Sequence, residues 1–113
     1  MSYKALAEEL RSNALALHKA APDTMTAFQG LMKAASKEAA LSAKVKELMA
    51  VAIAIASRCE GCIVFHVQNA ARHGASREEL VEAISVAIEM GGGPATVYGG
   101  KALAVFDEAQ GGR

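Results

Sequence analysis

Two thiols and an imidazole lie close together in the segment Cys59-Glu60-Gly61-Cys62-Ile63-Val64-Phe65-His66. Cys59 and Cys62 are the only cysteines of the chain, and His66 follows the second of them by four residues. On a helix, residues three and four positions apart share a face, so the three side chains can converge. A thiol is a good nucleophile only as a thiolate, and a helix N-terminus or a neighbouring imidazole favours that form. The segment therefore predicts a redox or nucleophilic site.

The C-x-x-C spacing allows a disulfide across one helical turn, and it makes attack of one thiol on the oxidised form of the other nearly intramolecular. His66 could take the thiol proton and stabilise the thiolate. Other interpretations stay open. Cys59 and Cys62 could be small buried side chains, His66 could be a core histidine bonded to a carbonyl, and all three could hold a catalytic zinc ion. A structural zinc site would need a fourth ligand from a second motif of this kind, which the sequence lacks.

Glu47 is the acidic residue nearest to the apolar run 48–56, on the helix that precedes the cysteines. If that helix folds back against the cysteine helix, the carboxylate can orient His66 or relay its proton. The alternative is a surface glutamate in a weak helical ion pair with Lys44, three residues earlier. The spacing alone does not separate these two interpretations.

The composition is that of a small chain with balanced charge. Its 113 residues predict one domain (1–113), and its twelve basic and twelve acidic residues argue against nucleic acid or an anionic membrane as a partner. Hydrophobic residues make up 52% and aromatic residues only 4%, which favours packed helices over a β-sandwich.

The longest apolar run is far shorter than the roughly twenty residues that span a bilayer. The N-terminus has no secretory pattern, so we expect a cytoplasmic protein, where an isolated C-x-x-C favours redox chemistry or metal binding.

The periodicity of apolar residues predicts an all-α bundle of five or six helices. The first is expected over about 3–20, and Asp23 is expected to cap the second. Ser42 should cap a third helix that ends near Ser57. The predicted inner face of the second helix consists of Met25, Phe28, Leu31 and Met32.

The cysteine helix is expected to begin at Arg58, because Ser57 and Glu60 have the spacing of a capping box. That start would put Cys59 in the first turn, where free N–H groups and the helix dipole favour a negative sulfur. Gly74 should end this helix as its left-handed cap.

Two further helices are predicted in the C-terminal part of the chain. Ser76 and Glu79 repeat the capping-box spacing and should open a helix that reaches about Met90. A glycine-rich turn follows, and Pro94 suits the first position of a last helix that ends near Ala109.

Glu47, the eleven residues after it and the pattern Cys59-x-x-Cys62-x-x-x-His66 together resemble the motif of the AhpD-like alkylhydroperoxidases, which belong to the carboxymuconolactone decarboxylase superfamily. The similarity continues through residues 77–84 and through the glycine-rich turn 91–95. It covers roughly residues 40–108. The combined motif is considerably more specific than C-x-x-C alone.

The resemblance implies an all-helical, homo-oligomeric protein, a trimer or hexamer, that acts as a thiol-dependent peroxidase or disulfide reductase in antioxidant defence. By this analogy Cys62 is oxidised by peroxide to a sulfenic acid, and Cys59 resolves it into a disulfide. His66 is the base, with Glu47 behind it in a proton relay. The resemblance also implies no tightly bound cofactor and no metal. An external dithiol, either a lipoyl group on a partner protein or a thioredoxin-like reductant, would restore the reduced form.

The chain departs from the best-known alkylhydroperoxidase pattern at Gly61, where that pattern has a histidine just before the second cysteine. The choice of reacting thiol also depends on the resemblance, because the helix N-terminus favours Cys59 and the imidazole favours Cys62. Two other functions compete. One is a lyase of the decarboxylase branch, which acts on a small lactone acid and does not need the thiols. The other is a non-enzymatic redox-sensing module whose disulfide alters its assembly.

Overall fold

The computed structural model describes residues 2–111, which form α-helices joined by short connections. No strand occurs within this range, so the prediction of an all-α fold is confirmed. None of the helices in residues 2–111 combines the length and the apolar composition needed to cross a bilayer. The six helices are α1 (Tyr3–Ala20), α2 (Pro22–Ser36), α3 (Ala43–Ala56), α4 (Glu60–Arg72), α5 (Arg77–Gly91) and α6 (Gly93–Ala109).

The hydrophobic core lies between α3, α4, α5 and α6. Its largest fully buried side chains, which come from all four helices, are Ile55, Ile63, Leu80, Val51, Val64, Val67 and Val105. α6 packs closely on α5 at Gly99, where an added Cβ would come within 2.7 Å of Cγ2 of Ile84. α1 covers one side of this core with partly buried side chains near its start, Tyr3, Leu6 and Ala7.

α3 and α5 lie side by side and run in the same direction. At their starts, Lys44 Nζ lies 2.9 Å from Oε2 of Glu79. At their ends, an added Cβ at Gly91 would lie 4.0 Å from Cα of Ala56. α4 packs against α3 and α6 and runs back along α3, so a side chain on the first half of α3 can meet one near the middle of α4.

The predicted inner face of α2 is only partly correct. Met25 and Met32 are half-buried, but Phe28 and Leu31 are exposed, the latter to 63%. The reason is that α2 contacts only α1 and α3, so no further element covers its second apolar edge. Neither α1 nor α2 contributes a fully buried residue.

Two of the predicted N-caps are confirmed. Ser42 Oγ accepts a hydrogen bond from the Val45 amide at 3.1 Å and starts α3. Ser76 and Glu79 form a complete capping box at the start of α5, because the Glu79 amide donates to Ser76 Oγ and Glu79 Oε1 accepts from the Ser76 amide.

The expected starts of α2 and α6 are wrong by one residue or more. Asp23 does not cap α2; its N-cap is Ala21, and Pro22 occupies the first turn with its fixed φ and no amide hydrogen to satisfy. Pro94 is the second residue of α6 because Gly93 is already helical.

Candidate active site

A tight turn between α3 and α4 positions the two cysteines. Ser57 is the C-cap of α3, and Arg58 follows it with a left-handed φ of 58°. The Arg58 amide donates to the Ile55 carbonyl at 3.1 Å, and the Cys59 amide donates to the Ala54 carbonyl at 3.1 Å. These two bonds form a Schellman motif, which usually has glycine at the left-handed position.

Cys59 is the N-cap of α4, so the predicted capping box of Ser57 and Glu60 is wrong. The turn at Arg58 delays the helix, and α4 begins at Glu60. The Cys59 carbonyl accepts from the Ile63 amide at 2.9 Å, and its Sγ accepts from the Cys62 amide at 3.2 Å. A sulfur atom thus occupies the place of the oxygen that usually caps a helix.

Cys59 and Cys62 are joined by a disulfide, with their Cα atoms 5.2 Å apart. Cys62 is exposed and Cys59 is half-buried. The interpretation of both cysteines as small buried side chains is therefore wrong. The structure thus contains a disulfide whose second residue, Cys62, is exposed.

Glu47 and His66 form the second component of the site. His66 Nδ1 lies 2.7 Å from Glu47 Oε1. This contact joins α4 to α3. The glutamate is only 8% exposed and is the one buried charged residue within residues 2–111. Lys44 pairs with Glu79 instead, so the interpretation of Glu47 as a surface partner of Lys44 is wrong.

This contact determines what the imidazole can do. With hydrogen on Nδ1, the ring donates to the Glu47 carboxylate and keeps the lone pair of Nε2 for another proton. The ring of Phe65 meets the imidazole edge-on, with 5.0 Å between centroids, and helps to fix its orientation. His66 follows Cys62 by one helical turn on the same side of α4.

An ion pair lies at the start of the cysteine helix. Lys101 Nζ of α6 donates to Glu60 Oε2 at 2.9 Å. The hydrogen bond from this ammonium, together with the Glu60 charge, raises the pKa of Lys101. The pair offsets the negative charge of Glu60, which would otherwise oppose a thiolate at the neighbouring Cys59.

An apolar groove of about 590 Å³ runs between α1 and α4, beside the disulfide. From α1 it is lined by Ala7, Leu10, Arg11 and Ala14. From the cysteine segment it is lined by Cys59, Gly61, Cys62, Phe65, Gln68 and Arg72, with Val64 below them. Gly61 lies against α1, because an added Cβ there would be 3.4 Å from Leu10 Cδ1. The α1 residues of the groove were not predicted as part of the site, because their helical spacing indicates a packed face and nothing more.

Within residues 2–111, no three His, Cys, Asp or Glu side chains are grouped so that they could share a metal ion. His66 is directed to Glu47 through Nδ1, and both sulfurs are bonded to each other. The set of Cys59, Cys62 and His66 that the zinc interpretation requires is therefore not assembled in this oxidised arrangement.

The chain belongs to the carboxymuconolactone decarboxylase family, whose sequence profile matches residues 22–108. The family prediction is confirmed, and the matched region begins upstream of the residues that carried the resemblance. An uncharacterized protein of Cupriavidus necator is 53% identical over 92 residues, which cover 81% of each chain. Uncharacterized protein 4 in the cox locus of Paracoccus denitrificans is 46% identical over 85 residues, covering 75% of this chain and 77% of that protein.

Two solved structures share the fold over nearly their whole length. A carboxymuconolactone decarboxylase family protein from Legionella pneumophila, in its apo form, has a TM-score of 0.91 at 40% identity, with 94% of this chain and 95% of that chain covered. A family member from Thermotoga maritima, a candidate for a role in antioxidative response, has a TM-score of 0.83 at 27% identity, with 92% and 89% covered.

Proposed function

We propose that the protein is a thiol-dependent hydroperoxidase that cycles between a Cys59–Cys62 dithiol and its disulfide. One observation carries the proposal: an exposed disulfide lies one helical turn from a histidine that is held by a buried glutamate. This arrangement provides a nucleophile, a resolving thiol and a supported base in one place. The proposed antioxidative role of the Thermotoga relative agrees with this assignment.

In the first step, His66 takes the proton of the Cys62 thiol, and the thiolate attacks the terminal oxygen of a hydroperoxide. The O–O bond breaks, its electron pair leaves with the alkoxide, and His66 returns the proton to form the alcohol. Cys62 is then a sulfenic acid. Glu47 stabilises the protonated imidazole while it carries the proton.

In the second step, the Cys59 thiolate attacks the sulfur of the Cys62 sulfenic acid. The S–S bond forms, the S–O bond breaks, and hydroxide takes a proton to leave as water. One hydroperoxide and two thiols thus yield one alcohol, one water and one disulfide. The C-x-x-C spacing makes this step intramolecular.

An external dithiol, from a lipoyl group on a partner protein or a thioredoxin-like protein, would restore the reduced state. Attack on the exposed Cys62 sulfur would release Cys59 as a thiolate, and the Cys62 amide already donates to that atom. A stabilised leaving thiolate accelerates thiol–disulfide exchange. No other cofactor takes part in the proposed cycle, which would operate in the cytoplasm.

We also propose that the chain works as a trimer or hexamer. Large apolar side chains at four-residue spacing remain exposed on the outer faces of the neighbouring α3 and α5. They are Met49 and Ile53 on α3 and Val86 and Met90 on α5, the last 78% exposed. Patches of this kind mark interaction surfaces. The molar mass in solution, measured by light scattering, tests the assembly; a monomer would contradict it.

The experiment that tests the activity is intact mass spectrometry of the reduced protein with one equivalent of organic hydroperoxide. A loss of about two mass units within seconds to minutes, as two thiols become a disulfide, is expected. Unchanged thiols, or slow addition of oxygen at many sites, would contradict the proposal. Turnover of a small lactone acid by a variant with both cysteines changed to serine would instead indicate the lyase.

A further inference from the structure

The groove between α1 and α4 carries positive charge although the chain as a whole is neutral. Its charged lining residues are Arg11 and Arg72, and no carboxylate lines it. Within residues 2–111, Arg11 forms neither a hydrogen bond nor an ion pair, and Arg72 uses one nitrogen to bond Asn69 of its own helix. Both guanidinium groups therefore retain donors for a ligand.

The groove connects these charges to the reactive cysteine. Arg72 follows Cys62 by ten residues on α4, which corresponds to about 15 Å along the helix axis. The side chains between them that line the groove are mainly apolar, and Phe65 is the largest. The site thus has a sulfur at one end, an apolar wall along its length and guanidinium groups beside it.

Cys62 lies between this groove and the proposed base. Each residue turns a helix by about 100°, so Phe65 and Arg72 lie on one side of Cys62 and His66 lies on the other. A substrate in the groove would approach the sulfur from the Phe65 side, about 100° around the helix axis from the imidazole that returns the proton. The groove would therefore bind the substrate, while His66, supported by Glu47, accepts and returns the proton.

We propose that the preferred substrate is the hydroperoxide of a long-chain carboxylic acid, and this inference rests on the proposed function. The hydrocarbon chain lies in the groove, the carboxylate binds Arg11 and Arg72, and the hydroperoxide reaches Cys62. A guanidinium recognises a carboxylate through charge-assisted hydrogen bonds, and the apolar wall favours a hydrocarbon over water. The reaction is the one given above, with the hydroxy acid as the product.

The test follows disulfide formation in a single turnover of the reduced protein, without any reductant. Three probes are compared: linoleic acid hydroperoxide below its micelle concentration, its methyl ester, and tert-butyl hydroperoxide. We expect the acid to react about tenfold faster than the ester, which keeps the chain but lacks the charge. The double variant Arg11→Gln/Arg72→Gln should lower the acid rate until the acid and the ester react at the same rate in that variant.

The matched control is Lys19→Gln/Lys33→Gln, which also removes two positive charges but does not alter the lining of the groove. It should keep the preference for the acid. Equal rates for acid and ester, or an equal loss in the control, would overturn the inference and leave the hydroperoxidase intact. Failure of all three probes to form the disulfide would overturn the proposed function, and the substrate assignment with it.

Discussion

His66 Nδ1 and Glu47 Oε1 are 2.7 Å apart across the interface of α4 and α3, although the two residues are nineteen positions apart in sequence. The carboxylate is buried and the imidazole is partly exposed. A buried carboxylate with one hydrogen-bonded partner is costly to leave unpaired. The pair therefore links the packing of two helices to the proton chemistry proposed at Cys62.

Replacing His66 with alanine should slow reaction of the reduced protein by about 10²-fold at pH 7, since general base catalysis contributes at least that much. The loss should shrink above pH 8.5 or so, the ordinary range of thiol ionisation, where Cys62 ionises without help. The measurement is the rate of alkylation of Cys62 by iodoacetamide from pH 6 to pH 10. Equal rates for the variant and the parent at pH 7 would remove His66 from the mechanism.

Replacing Glu47 with glutamine should lower the same rate at pH 7 by a smaller factor, about threefold to tenfold. The amide oxygen can still accept from His66 Nδ1, but the charge that stabilises the protonated ring is lost. Glu82→Gln, at an exposed position of α5, is the control for loss of one negative charge. If both variants react like the parent, Glu47 has a structural role only.

Serine substitutions separate the roles of the two cysteines without removing the helix cap. In Cys59→Ser the hydroxyl can accept the Cys62 amide in place of the sulfur, because serine is a preferred N-cap. This variant should form a sulfenic acid at Cys62 that dimedone traps, with no disulfide. Cys62→Ser should not react with hydroperoxide on the same timescale. The opposite pattern would make Cys59 the attacked thiol.

Two Schellman motifs within residues 2–111 predict opposite effects of glycine. Arg58 ends α3 with a φ of 58°, and Gly74 ends α4 with a φ of 87°. For a residue with a Cβ, this left-handed conformation is unfavourable by about 1 kcal/mol or more. Arg58→Gly should relieve this strain and raise the free energy of unfolding, but only by roughly 0.5–1 kcal/mol, because the greater freedom of glycine in the unfolded chain offsets part of the gain. Gly74→Ala should lower it by about 1 kcal/mol.

Urea unfolding of the oxidised protein measures both changes, and the slope of the transition should be the same for each variant. Changes of the same sign would show that side-chain contacts at these positions outweigh the backbone.

Glu79 should make stability depend on pH in the acidic range. Its pKa is lowered below 4.5, first by the hydrogen bond from the Ser76 backbone amide and then by that from Lys44. A lowered pKa in the folded state stabilises the protein above the unfolded value, and this contribution is lost as the pH falls through the folded value. Glu79→Gln keeps the cap without the charge, so its melting temperature should lie below that of the parent at pH 7. The difference should shrink as the pH falls below 4.5 and disappear once the pH is below the lowered pKa of Glu79.

A persistent gap between the two melting curves in acid would mean that the glutamate acts through packing. Glu78→Gln, at the exposed position before it, serves as the control.

The comparison of Arg58 with Gly74 shows where sequence reasoning succeeds. Both residues end a helix with the same pair of backbone hydrogen bonds. Only the glycine, however, allows the left-handed conformation to be predicted from the sequence. The sequence therefore located the end of α4 and misplaced its start. The capping-box spacing of Ser57 and Glu60 predicts a position inside the first turn for Cys59, and a thiol is not among the usual N-caps.

The Glu47–His66 contact was one of two interpretations, because it depends on how α3 and α4 fold against each other. The spacing places both residues on suitable faces, but burial of the carboxylate is a property of the packed core. The groove could not be predicted from the sequence for a similar reason. It forms between residues about fifty positions apart, and no local pattern relates Leu10 to Gly61.

Cys59 closes the Schellman motif of α3 with its amide and begins α4 with its carbonyl. Neither of these bonds involves a sulfur atom, so we expect the junction between the helices to be kept when the disulfide is reduced. In the proposed cycle, oxidation and reduction should therefore not require the core to repack. During the proposed cycle, activity would be lost through overoxidation of the exposed Cys62 rather than through unfolding.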